Sequence, residues 1–235
     1  VPAWLRGCWR RAWIEFADGS RDETEQVWWL QTDAAMADVR IAAARPSFTG
    51  VSDLRDCSPD QLAALATANA STGVTRVVAT VDHHDGTHSC TATWHTYGVG
   101  INFQPVCGYP EPGLLHLDAG ATVMIERAPS GAYVEEWHLV PGSREAPQRH
   151  LVRPDGSELF VAGTIAIEAR DRRPATLPAV PLAELLRRAP GPHAPDVAAL
   201  LDCEFSVATR ADDGTFRITA STLPWRDGTV LDVAA

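Results

Sequence analysis

Asp-Gly dipeptides recur at Asp18-Gly19, Asp85-Gly86, Asp155-Gly156 and Asp213-Gly214, and strand-length runs lie between these turns. The pairing constrains the fold strongly, because Asp-Gly favours tight hairpin turns and alternating runs favour half-buried strands. Strand readings fall at 9–16, 25–32, 36–41, 74–83, 87–97, 113–118, 121–127 and 132–140. They continue with a pair around Pro154-Asp155-Gly156, one long strand over 158–170, and a final hairpin of 203–210 and 215–221. Two short helices interrupt them. One starts at Ser58-Pro59-Asp60-Gln61, which reads as an N-cap, a helical-N1 proline and a capping-box Gln, and runs to about Ala68 as a lid or plug. The other carries Leu182, Leu185, Leu186 and Ala189 and ends at Pro190-Gly191-Pro192, with a further helical turn at Asp196–Leu201. About ten antiparallel strands without strand–helix alternation predict a single all-β domain over residues 1–235, a closed barrel or a sandwich.

The stretch Trp28–Ile41 reads as two strands about a polar turn. Period two places Met36, Asp38 and Arg40 on one face and Ala37, Val39 and Ile41 on the other. If the first face points into a barrel, Asp38 and Arg40 form a polar site inside it. In the strand at 9–16, Trp9, Arg11 and Trp13 share a face, opposite Arg10, Ala12, Ile14 and Phe16.

Composition narrows the function classes. The net charge of −10 removes the electrostatic footprint of a nucleic-acid binder. No run of about 18 apolar residues predicts a membrane span, and the first residues do not read as a signal peptide. Five scattered cysteines (Cys8, Cys57, Cys90, Cys107 and Cys203) lack C-x-x-C spacing, which points to free thiols in a reducing, cytoplasmic setting. All twenty basic residues are Arg, so Schiff-base and P-loop lysine chemistry is excluded. No G-x-S-x-G, H-E-x-x-H or Rossmann motif occurs. No cofactor is called for, although one His ligating haem in a barrel would leave no sequence signature.

Four stretches in order carry a resemblance: Trp9-Arg10-Arg11, Trp29–Ile41, Trp94-His95 with Ile101-Asn102-Phe103-Gln104-Pro105, and Tyr133-x-Glu135-x-Trp137. Over roughly residues 5–140 the chain resembles the Hri-type lipocalin-like proteins, a family named after a fungal kinase interactor. The resemblance implies a calycin-type antiparallel β-barrel with an internal cavity and no defined reaction. The family pattern has a basic residue after Trp-His and an Asp before Phe-Gln-Pro. Here those positions hold Thr96 and Asn102, with Tyr97-Gly98-Val99-Gly100 inserted, which implies a neutralised pocket and a different ligand.

Three constellations could carry chemistry. Asp38, Arg40, Arg11 and Glu135, with Trp29, Tyr133 and Trp137, compose a half-apolar pocket with a few placed polar groups. The same residues also fit a buried Arg40–Glu135 pair that only fixes strand register. His95 shares a face with Thr91, Thr93 and Tyr97, either lining a wet cavity as a proton shuttle or lying outward with Trp94 in the core. His83, His84 and His88 cluster at a hairpin tip, where a two-residue Asp85-Gly86 turn would set His83 opposite His88. Such tips are commonly solvated, and no metal is expected there.

The functional expectation is a barrel that binds a small, mostly apolar molecule bearing an anionic or carbonyl group, through Arg11, Trp29, Asp38, Arg40, His95, Tyr133, Glu135 and Trp137. A cofactor-free isomerase, cyclase or lyase is the alternative, with Glu135 or His95 moving a proton and Arg40 holding negative charge. A protein-interaction adaptor is the third. Oligomeric state is open.

Overall fold

The computed structural model describes residues 1–106, 111–174, 177–188 and 197–234. Cys107, the helix end at Ala189 and Pro190-Gly191-Pro192, and Asp196 lie outside the described residues.

Strands β1 (Gly7–Phe16), β2 (Arg21–Asp22), β3 (Gln26–Gln31), β4 (Met36–Ile41), β5 (Asn69–Asp82), β6 (His88–His95), β7 (Gly113–Leu117), β8 (Val123–Arg127) and β9 (Tyr133–Leu139) form one antiparallel sheet. Because β9 also pairs with β1, eight of these strands close into a barrel and β2 hangs from the distal half of β1. The chain is thus all-β with an antiparallel barrel, and closure leaves those eight strands without a free edge.

A second antiparallel sheet holds β10 (Gln148–Val152), β11 (Glu158–Ala162), β12 (Ile165–Asp171), β13 (Cys203–Arg210), β14 (Phe216–Ser221) and β15 (Val230–Leu231). The long strand expected over 158–170 is a hairpin instead. Ala162 pairs with Ile165, and Gly163 turns the chain at φ +60° where an added Cβ would lie 2.5 Å from the Gly142 carbonyl. An unbroken apolar run conceals such a turn, because both strands are buried and the turn needs only one glycine.

Alternation on β3 and β4 explains how the sheets meet. Trp28, Leu30, Ala37, Val39 and Ile41 point out of the barrel and form one buried core with Phe160, Ile165, Ile167, Phe205 and Val207 of the second sheet. Helix α1 (Pro59–Leu65) is capped as expected, with Ser58 and Gln61 in a capping box. It is no plug: Leu65 is buried in this intersheet core and the helix ends there. Leu182 of α2 (Leu182–Arg188) and Leu200 of α3 (Val197–Leu200) pack into the same layer.

The barrel has its own core of Leu5, Trp9, Trp29, Met36, Leu115, Met124 and Trp137. Trp4 and Val1 pack against it, so the N-terminal segment lies over one end. The opposite face of the second sheet carries Leu159, Val161, Ala166, Ala208 and Ile218 beside a chain of ion pairs. There Glu168 meets Arg153 and Arg226, while Glu204 meets Arg226 at 2.7 Å and Arg172 at 3.2 Å.

Candidate functional site

The barrel holds a cavity of about 590 Å³, within the range of small-molecule sites. Every residue of the first constellation lines it: Arg11, Trp29, Asp38, Arg40, Tyr133, Glu135 and Trp137. Strand alternation puts them there. Met36, Asp38 and Arg40 face inward from β4, and Tyr133, Glu135 and Trp137 face inward from β9.

One alternation fails. Between Arg11 and Trp13 the pairing of β1 with β9 shifts by one residue, from Arg11 opposite Trp137 to Trp13 opposite Glu136. Such a bulge swaps the faces beyond it. Ile14 and Phe16 therefore join Arg11 on the cavity wall, and Trp13 leaves that wall to lie under the Arg21 guanidinium.

The polar centre is a chain of charges. Arg11 donates to Glu135 and to Glu25, both at 2.7 Å. Arg40 lies 3.5 Å from the same Glu135 oxygen and donates to Asp38 at 2.9 Å. Arg11 and Glu135 are almost wholly buried, so each depends on the other to offset desolvation. Apolar walls surround the chain: Trp29 packs edge-on against Trp94 and Trp137, with ring centroids 5.9 and 6.2 Å away.

Sequence reasoning missed Glu126. It faces inward from β8, directly opposite Glu135 across the β8–β9 ladder, and is 4% exposed. The turn Ala128-Pro129-Ser130-Gly131 could have revealed it, since a hairpin closed there pairs 126 with 135. Tyr133 donates its hydroxyl to Glu126 Oε1 at 3.0 Å. Burial first, and then the Glu135 charge, push the Glu126 carboxyl up to about 8, against a partial offset from Arg40. Two facing carboxylates beside one set of guanidiniums leave one of them holding a proton, and Glu126 has the weaker cation contact. Burial and Glu126 push the Tyr133 phenol up as well, so it stays a donor.

Gly113 permits this packing, for a Cβ there would lie 2.5 Å from the Trp94 ring and 2.9 Å from Glu126 Oε1. Among the described residues, the buried indole N–H groups of Trp29 and Trp137 have no hydrogen-bond acceptor. A buried donor without a partner is costly, and natural folds rarely keep one without a reason.

Asp22, Glu25 and Glu111 add acidic groups to the lining, with Phe16, Thr67 and Asn69. Hydrogen bonds from the Thr24 hydroxyl and backbone hold Asp22 below the usual carboxylate range, so it stays ionised. Cys90 also faces inward, but burial pushes its thiol up to about 12, which makes it packing rather than a nucleophile.

The other two constellations lie elsewhere. His95 is exposed, bonds Thr93 and does not line the cavity, whereas Trp94 and Thr96 on the opposite face do. At the hairpin tip, His83 pairs across to Thr87, and Asp82 rather than His83 lies opposite His88. The expected two-residue turn is a three-residue loop with Gly86 at φ +85°. His83 bonds Ser89, while His88 bonds Asp82 and stacks on Trp4. Among the described residues no group of three His, Cys, Asp or Glu is placed to hold a metal ion, and no helix is long and apolar enough to cross a membrane.

No family model matches this chain, and no curated protein matches it. Among solved structures, the uncharacterized protein YLR301w from Saccharomyces cerevisiae is similar over 92% of this chain and 84% of that one, at 11% identity and a TM-score of 0.47.

Proposed function

We infer that the barrel binds a small, mostly apolar organic molecule whose polar end reaches the Arg11–Glu135–Arg40–Glu126 cluster. The cavity itself carries this reading: it is walled by Trp29, Trp94 and Trp137 yet contains placed charges and unsatisfied donors. Such a combination suits an enclosed ligand better than a filled core. Of the two head groups expected, anionic or carbonyl, the charges favour the carbonyl. Arg11 and Arg40 are already matched by Glu135, Asp38 and Glu25, and Asp22 and Glu111 add further negative charge. An anion would enter against that field. A neutral acceptor would meet donors without adding charge. Membership of the Hri-type lipocalin-like family is part of this proposal, supported by the stretches around Arg11, Asp38 and Glu135 supplying the inward-facing cluster.

Native mass spectrometry of freshly purified protein tests the reading. A small organic adduct is expected on the wild type and not on Ser71→Trp, which fills the cavity from β5. Equal adducts on both would place the ligand elsewhere, and a carboxylate or metal adduct would overturn the head-group assignment.

A further inference from the structure

We propose that Glu126 is the residue that selects the ligand's head group, donating its carboxyl proton in a hydrogen bond to a neutral carbonyl oxygen, so that the cavity loads only while Glu126 is protonated. The inference rests on the ligand-binding reading and extends it from a class of molecule to a donor and a condition.

Geometry carries it. Glu126 is 96% buried by its 4% exposure, lines the cavity, and has one oxygen engaged by Tyr133. Its other oxygen makes no hydrogen bond to any described residue and touches no guanidinium within ion-pair distance. Among the described residues, the groups facing it are few. Glu135 and Tyr133 come from β9, Asp38 and Arg40 from β4 and Arg11 from β1. The neighbouring β7 offers Gly113 and Leu115, and β6 offers Trp94 and Thr96, none of which carries charge.

Of the two facing glutamates, Glu135 is the one that both guanidiniums reach, Arg11 at 2.7 Å and Arg40 at 3.5 Å, and the same cations also bind Glu25 and Asp38. A second carboxylate ionised beside it would be buried without a partner, which is the costlier arrangement. The neutral carboxyl can instead act as a donor, and among the described residues the role left unfilled beside it is an acceptor, supplied from the cavity. Discrimination follows, because a ligand lacking that acceptor leaves a buried donor unpaired. The titration range agrees, with the carboxyl pushed up to about 8.

The test uses prodan, a neutral fluorescent naphthyl ketone, on the wild type and on Glu126→Gln from about pH 6 to about pH 10. Wild-type affinity should hold at low pH and fall about tenfold per pH unit above about 8, as one lost proton requires. Glu126→Gln keeps an amide donor and should bind across the whole range without the fall. Binding that is flat with pH in the wild type, or that falls equally in Glu126→Gln, would overturn the proposal while leaving the cavity a binding site. Absence of binding at pH 6, with Ser71→Trp indistinguishable from the wild type, would overturn the ligand-binding reading itself. A measurement without probe stands beside it. The protonated-carboxyl stretch in infrared difference spectra should vanish through about pH 8 in the wild type and be missing from Glu126→Gln. A band that vanishes near the ordinary carboxylate range instead would sink the claim.

Discussion

The barrel interior and the outer face of the second sheet both bury glutamates among arginines, and they settle the charge in opposite ways. On the second sheet, Glu204 has Arg226 and Arg172, and a hydrogen bond from Ser206 as well. Those partners outweigh burial and hold its carboxyl below the usual range. In the barrel, Glu126 has a phenol and a facing carboxylate, and its carboxyl rises to about 8. Burial alone therefore does not decide protonation; the count of cations within reach does. The first region has closed its charge balance with its own residues. The second leaves a proton, two indole donors and an open volume, which is the condition of a site rather than a brace.

The largest test of that contrast is Arg11→Ala. Arg11 is almost wholly buried and its loss leaves Glu135 with Arg40 at 3.5 Å, so the cost should be about 3–5 kcal/mol. Arg226→Ala in the second sheet should cost about 1 kcal/mol, because Arg226 is a third exposed and each of its glutamates keeps another arginine. Denaturant unfolding of both variants makes the comparison, and equal losses would erase it.

Opposite pH dependences are the next effect. Folded Glu126 keeps a proton that the unfolded chain has already released above the ordinary carboxylate range. The folded state binds more protons there, so stability falls as pH rises, by about 1.4 kcal/mol per unit until about pH 8. Glu126→Gln should remove that slope and exceed the wild type at neutral pH. Glu204 is the reverse: its carboxyl is held low, so its contribution is present at neutral pH and lost as pH falls through the folded value. Glu204→Gln should destabilise at neutral pH and converge on the wild type in acid. Melting curves across pH that slope the same way for both would break the contrast. The smallest effect belongs to Arg10→Ala, within about 0.5 kcal/mol, since Arg10 is exposed and lies over Trp28.

Strand periodicity made the barrel legible. It placed Asp38, Arg40, Tyr133, Glu135 and Trp137 on inward faces, because turn chemistry and alternation are local properties. Three features were not local. The bulge after Arg11 depends on how β9 pairs with β1, and it moved Ile14 and Phe16 to the cavity. The second sheet packs through the outer residues of β3 and β4, which read in sequence merely as the far side of a strand. Glu126 showed only an acid in a short strand; its importance comes from facing Glu135, a pairing fixed by the β8–β9 register.

The central claim is that the space between Trp29, Trp94 and Trp137 receives a ligand. Indole N–H resonances of protein labelled with nitrogen-15 test it most directly, because Trp29 and Trp137 carry buried donors without acceptors. On adding prodan at about pH 6, the resonances of Trp29 and Trp137 should shift together, saturably, while those of Trp13 and Trp225 outside the cavity stay in place. Shifts confined to Trp13 or Trp225, with Trp29 and Trp137 unmoved at saturating prodan, would contradict the account.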